Sequence, residues 1–202
     1  MLFNEVIGAF SLAVYNAFVI FYVSRKMHER FGTYIARKTI HVLSAGVSVL
    51  LMPFLFNDLL FPLLLAGFAV ALTLTGHIWK TFPWFQEKKN YADIYFTFAC
   101  AVLLTVFWNY IRWIGVLSVL FMAWGDGLTG VVRNFVYKKR TKGLWGNVAM
   151  FIVCASLGYF TLGYVGLIGG VFSAIVEKFE WIDDNISVPF GSATLMSLLR
   201  FL

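Results

Sequence analysis

The chain is expected to fold as an all-α polytopic transmembrane helix bundle, a single integral membrane domain over residues 1–202. Three observations predict this. Hydrophobic residues make up 60% of the sequence, only 13% is charged, and the mean hydropathy is +0.81. The apolar residues collect in runs close to the roughly 20 residues that a helix needs to cross a bilayer. The basic residues fall between alternate runs rather than evenly along the chain. Such a composition excludes a soluble globular domain and leaves no room for a separate soluble module.

In order, the apolar runs cover residues 2–23, 39–56, 59–79, 94–110, 113–132, 148–160, 162–176 and 188–202. The first run has no Lys or Arg ahead of it and no small-residue cleavage site at its end, so it is expected to be a span rather than a signal peptide. The second follows the basic pair Arg37-Lys38, and the third lies between Asp58 and Lys80. The fourth and fifth are parted only by Ile111-Arg112, and the sixth and seventh only by a tight Thr161–Gly163 turn. That last junction leaves seven or eight spans open, with one run re-entrant or broken in the lower count. Cys100 and Cys154 sit inside apolar runs with no metal-ligand spacing and are expected to be small packing residues.

Charge sets the orientation. With the N-terminus outside and the loops alternating, fourteen of the 16 basic residues fall on the inner side, leaving Arg112 and Arg200 outside. That bias is what the positive-inside rule demands. The net charge of +6 is therefore concentrated on one face. On the same count Asp126 lies about 10 Å deep from the inner end of its helix, at 1.5 Å per residue. His41 and the Asp183-Asp184-Asn185 run fall on that side too, so three clusters distant in sequence converge.

The clusters carry the functional argument. Asp126 stands in Trp124-Gly125-Asp126-Gly127-Leu128-Thr129-Gly130, inside a membrane-length apolar segment. A carboxylate there costs roughly 2.5–3.5 kcal/mol on insertion scales, which marks it as functional, with pairing to an interior Arg or Lys as the structural alternative. Its small neighbours clear space for another group to approach. Arg37 and His41 are four apart and share a helix face, suited to holding a phosphate or orienting a proton acceptor. The plainer alternative is a snorkelling Arg37-Lys38 pair beside a packing histidine.

Arg133, Lys138, Lys139, Arg140 and Lys142 follow Asp126, and a carboxylate with a nearby crowd of cations is what Mg²⁺-assisted phosphoryl transfer uses. Contacts to anionic lipid are the alternative for the basic loop. The segment 177–185 holds four acids against one lysine, unlike the other inner loops. Helix capping accounts for Asn185 or Ser187 but not for both Asp183 and Asp184, and a second metal carboxylate would. No Walker-type loop, Ser/His/Asp set or zinc-like cluster is present, nor any sign of nucleic-acid binding, and His28 and His77 look incidental. The Gly166-x-x-x-Gly170 spacing permits close helix packing, read as internal rather than as a dimer contact; oligomeric state is not legible.

Together, Arg37-Lys38-x-x-His41, then Gly125-Asp126 with its basic loop, then Glu177 and Asp184-Asn185-x-x-Val188-Pro189 resemble the dolichol kinase, phytol kinase and CTP-dependent diacylglycerol kinase family, itself related to the CDP-diacylglycerol synthases. The resemblance spans residues 37–190. It implies an enzyme of a prokaryotic plasma membrane or ER membrane, with its active site on the cytoplasmic side. That enzyme transfers the terminal phosphate of a nucleotide, usually CTP, to a polyprenol-, dolichol- or phytol-like isoprenoid alcohol.

Carried onto this sequence, Asp126 and Asp184 hold Mg²⁺ with Asn185 assisting, and Lys38 and His41 join them as catalytic candidates. Arg37, Arg133, Lys138, Lys139, Arg140 and Lys142, with Gly125 and Gly146, bind the nucleotide phosphates. One departure stands out. In Lys142-Gly143-Leu144-Trp145-Gly146-Asn147, Trp145 occupies the position where the family carries an acid, so either another acid, Glu177, acts as the further metal ligand or metal is held more weakly. A cytidylyltransferase making a CDP-lipid is the alternative activity, and a non-catalytic lipid transporter ranks below both.

Overall fold

The computed structural model describes residues 2–138, 141–179 and 182–201, and every regular element among them is helical. Six helices follow one another: α1 Leu2–Phe31, α2 Thr33–Leu55, α3 Leu60–Trp79, α4 Ala92–Tyr137, α5 Leu144–Val176 and α6 Asp184–Arg200. Five of them, α1 to α5, are long and apolar enough to cross a membrane, fewer than the seven or eight spans expected.

The difference has a local cause. Helix α4 is interrupted at Ile111 (φ −133°, ψ 64°) and α5 at Leu162 and Gly163, where φ is +59° at the glycine. Both breaks fall at boundaries between apolar runs, and at both the chain doubles back. A Cβ on Gly115 would press on the Leu103 carbonyl, and one on Gly170 would strike the Cys154 backbone. Each interrupted helix is thus a hairpin of two arms, so the described chain forms eight helical rods. Gly166 packs on Gly158 within the second hairpin. The small-residue spacing in α5 therefore serves a contact inside the chain, where backbones approach too closely for any side chain.

Helix ends follow polar chemistry more closely than hydropathy. Helix α1 continues eight residues past its apolar run, and there Arg25, Lys26 and Arg30 set their charged groups over aromatic rings: Arg25 over Trp84, Lys26 over Tyr22 and Arg30 over Phe31. It stops at Gly32, whose φ of +84° few other residues adopt.

Three stretches, Val19–Val23, Ile40–Gly46 and Phe121–Asp126, are wound as π-helix. Such wide turns break the regular ladder of backbone bonds, and side chains reach their carbonyls. Trp84 Nε1 reaches Ile20 at 3.3 Å, Trp124 Nε1 reaches Val42 at 2.9 Å, and Cys154 Sγ reaches Phe121 at 3.6 Å. The last two stretches carry His41 and Asp126.

The second arm of α4 is the buried centre. Ile114, Val116, Leu117, Val119, Leu120 and Phe121 are all at most 1% exposed. This explains why its sequence is apolar without periodicity: neighbours surround it on every side. The alternation of rods puts the links at 32, 80–91 and the described residues 138, 141–143, 177–179 and 182–183 at one end of the bundle. At that end gather all the basic residues of the described chain except Arg112 and Arg200. At the other end, Glu5 accepts from Asn57, and Arg112 donates to the Phe56 and Asn57 carbonyls at 3.3 and 3.1 Å.

Candidate active site

Helices α2, α4 and α6, with the links on either side of α5, bring their polar residues together at the basic end. A cavity of about 550 Å³ there is lined by Arg37, Lys38, Asp126, Arg133, Lys142, Glu177, Asp184 and Asn185. These eight candidates come from three segments of the sequence, and the fold gathers them around one space. Lys138 is exposed and lies outside the cavity lining, and Lys139, Arg140 and Glu180 lie outside the described residues.

The site is built from ion pairs. Lys38 donates to Asp126 Oδ2, both side chains being at most 10% exposed. Asp126 is thus paired with an interior lysine, and the glycines around it make room for that partner. A Cβ on Gly130 would meet the Lys38 stem, and one on Gly127 would meet Val42. Arg133 holds Glu177 through two parallel bonds, Nη1 to Oε1 at 2.7 Å and Nη2 to Oε2 at 3.0 Å, and also donates to Asn147. Lys142 bridges Asp184 Oδ2 at 2.6 Å and Glu177 Oε1 at 3.2 Å. Gly125 and Gly146 stay outside the lining: Gly125 lies against Cys154, and Gly146 leaves the path that the Arg133 side chain takes.

Two residues at the basic end, Lys142 in a link and Asp184 at the first position of α6, titrate unusually. Burial, with Asp126 and Glu177 nearby, pushes the Asp184 carboxyl up to about 6 in spite of Lys142. For Lys142, burial works against the charge, but Asp184 and Glu177 outweigh it and hold the ammonium above its ordinary range.

The capping expectation needs correction. Asp183, not Asn185 or Ser187, caps α6: its Oδ1 accepts from the Asn185 backbone N–H at 2.9 Å and from Asn185 Nδ2 at 2.8 Å. Asp184 is thereby left for Lys142 and the cavity, and the Asn185 Oδ1 is buried with no partner.

His41 does not line the polar cavity. It is 4% exposed, stacks on Phe96 with centroids 4.5 Å apart, and borders a second cavity of about 360 Å³ between α1, α2, α3 and the first arm of α4. That second space is apolar over most of its wall, and Arg37 borders both. Several neighbours carry no motif in the sequence. Tyr34, Asn90 and Thr141 line the polar cavity, and Asn147 supports Arg133. Asp93 and His77 form a largely buried pair at 2.8 Å, which gives His77 a partner the sequence did not suggest. A histidine five residues before an aromatic loop carries no local signal of a partner on the next helix. Trp145, where the family's acid was expected, is 58% exposed and is not part of either lining.

The donors present fit a hard divalent cation carried on phosphate. Asp126, Glu177 and Asp184 supply carboxylate oxygens, and the partnerless Asn185 Oδ1 is an amide oxygen on the same wall. Among the described residues no three His, Cys, Asp or Glu side chains cluster tightly enough to hold a metal by themselves. Mg²⁺ sites that borrow phosphate oxygens need only one or two carboxylates.

Fold and site define an all-helical protein with membrane-length helices and a charged cavity at one end, joined through Arg37 to an apolar one. Compared with known proteins, the chain is 25% identical over 181 residues to a phytol kinase from Synechocystis sp., covering 80% of this chain and 77% of that protein. The similarity supports the broad family that the motifs resemble, without selecting one member. No family model matches the chain, and no solved structure matches it.

Proposed function

We propose that the protein is a membrane lipid-alcohol kinase that transfers the γ-phosphate of CTP, with Mg²⁺, to an isoprenoid alcohol at the cytoplasmic face. The eight rods would each cross or enter the bilayer, with the N-terminus outside. The observation that carries the reading is the adjacency of two unlike spaces, one lined by paired charges and one by apolar side chains, with Arg37 in the wall of both. Such a pair suits a polar phosphate donor and a lipid acceptor meeting at a partition.

Arg37, Lys38, Arg133 and Lys142 would receive the triphosphate, exchanging carboxylate partners for phosphate oxygens; a guanidinium suits that exchange because its fork matches either acceptor. Asp126 and Asp184, with Asn185 and Glu177, would hold Mg²⁺. When bound, that ion offsets the negative charge on the phosphate oxygens. The apolar cavity would take the hydrocarbon tail and exclude water, with the hydroxyl near Arg37 and His41. The alcohol oxygen then bonds to the terminal phosphorus, the bond to the bridging oxygen breaks, and the nucleoside diphosphate leaves with that electron pair.

The test is transfer of label from γ-labelled CTP by purified protein in lipid with Mg²⁺ and phytol or a longer polyprenol. Label on the lipid is expected. Label released as pyrophosphate, with cytidine joined to a lipid phosphate, would replace this reading by the cytidylyltransferase. No turnover with CTP or ATP would overturn it.

A further inference from the structure

Asp93, at the start of α4, borders the apolar cavity and is 8% exposed. Both of its oxygens are held. Oδ1 accepts from His77 Nε2 at 2.8 Å, and Oδ2 accepts from Gln86 Nε2 at 2.7 Å. His77 comes from α3. Gln86 comes from the 80–91 link and is fixed in turn by donating to the Thr73 carbonyl at 3.1 Å. A carboxylate oxygen has two lone pairs, so an Asp held in this way keeps room for one further donor.

A second observation comes from α2. His41 borders the same cavity, and its buried Nδ1 has no hydrogen-bond partner. That nitrogen is closed off from the cavity, so the polar group the cavity offers in its otherwise mostly apolar wall is the fixed acceptor Asp93. A hydroxyl on a hydrocarbon tail can donate to it.

The position suits the chemistry as well. Ala92 lines the polar cavity and Asp93, the next residue, lines the apolar one, so the start of α4 forms part of the partition between them. Asp126 and Glu177 are already engaged by Lys38 and Arg133. Asp93 is the carboxylate that the tail cavity itself presents, oriented by two donors as a general base requires.

We propose that Asp93 binds the hydroxyl of the lipid alcohol and takes its proton as the oxygen bonds to phosphorus, with His77 and Gln86 as positioning residues. This rests on the kinase reading above.

The test uses the full chain in lipid nanodiscs with CTP, Mg²⁺ and phytol as the probe alcohol. Asp93→Asn lowers kcat by about 100-fold or more and leaves CTP affinity within about twofold; general-base removal is typically worth about 10²–10⁴. His77→Ala lowers kcat about tenfold with KM for CTP unchanged, and His77→Gln, which keeps a donor, recovers most of that loss. Equal loss in both His77 variants overturns the positioning role.

Binding to the unaltered protein is measured in parallel, so that a poorly folding variant cannot decide the matter. Phytol binds about tenfold or more tightly than its methyl ether, which lacks the proton that Asp93 accepts. Equal binding overturns the proposal. No label on lipid from the wild-type protein overturns the kinase reading and the proton transfer with it. Label on lipid with Asp93→Asn still within about threefold of wild type overturns the Asp93 assignment alone.

Discussion

Replacing Glu177 with Gln removes the charge against which Arg133 is packed. Glu177 is 1% exposed and Arg133 is 5% exposed, and two bonds of 2.7 and 3.0 Å join them. Gln keeps the shape and one acceptor but turns an N–H donor toward the guanidinium. One charge-assisted bond is lost, worth about 1.5–3 kcal/mol. The guanidinium also stays buried without its counter-charge, and breaking a buried pair from one side costs about 3–5 kcal/mol in all. Asn147 still accepts from Arg133, so the low end, about 3 kcal/mol, is expected.

Reversible unfolding in mixed micelles, followed by the fluorescence of the seven tryptophans, reads that loss directly. The double variant Arg133→Met/Glu177→Leu removes both charges, and its stability returns to within about 1 kcal/mol of wild type while turnover stays lost. A loss under about 1 kcal/mol for Glu177→Gln, or a double variant as unstable as the sum of the singles, would refute the view of this pair as a buried, mutually dependent unit.

Three further outcomes follow. Asp126→Asn lowers turnover by about 100-fold or more while membrane insertion and detergent elution stay unchanged, because the segment remains apolar; activity near wild type would remove Asp126 from the site. Gly158→Val drives a side chain into the Gly166 backbone at the α5 hairpin and costs about 1–3 kcal/mol or more, read in the same micelle assay. Asp184 gives the pH dependence. With its carboxyl raised to about 6 from the ordinary 3.8, the folded metal-free protein holds a proton that the unfolded chain releases. Its contribution therefore lowers stability as pH rises from about 4 to 6, and Asp184→Asn removes that slope. If Asp184 holds Mg²⁺ as proposed, protons compete for the same group and metal affinity falls as pH drops below about 6, measurable by calorimetry with Mg²⁺ and CTP.

Much of the architecture was legible because the bilayer restricts what a chain can do. An apolar segment with no water to satisfy its backbone must be helical, so the apolar runs located the rods and even the breaks at Ile111 and Leu162. Alternating charge located the end where the polar residues meet, since each rod reverses direction. Asp126 stood out because an ionisable residue on an apolar helix has few reasons to be there, whereas Lys38 and Asp184 stood out in charged segments beside the runs and Glu177 through the family resemblance.

Partnership was not legible. Nothing local in the sequence distinguishes an Asp126 paired with Lys38, 88 positions away, from one that meets metal alone. That Asp183 rather than Asn185 caps α6 depends on one backbone turn. The assignment of His41 to the apolar cavity rather than the charged one depends on how α2 faces the first arm of α4. The His77–Asp93 pair likewise exists only because α3 and α4 lie side by side. Which residues must be helical and which end is polar follow from solvation, one segment at a time. Which charges neutralise one another and which cavity each borders follow from packing, because they depend on distances between helices that no single segment encodes.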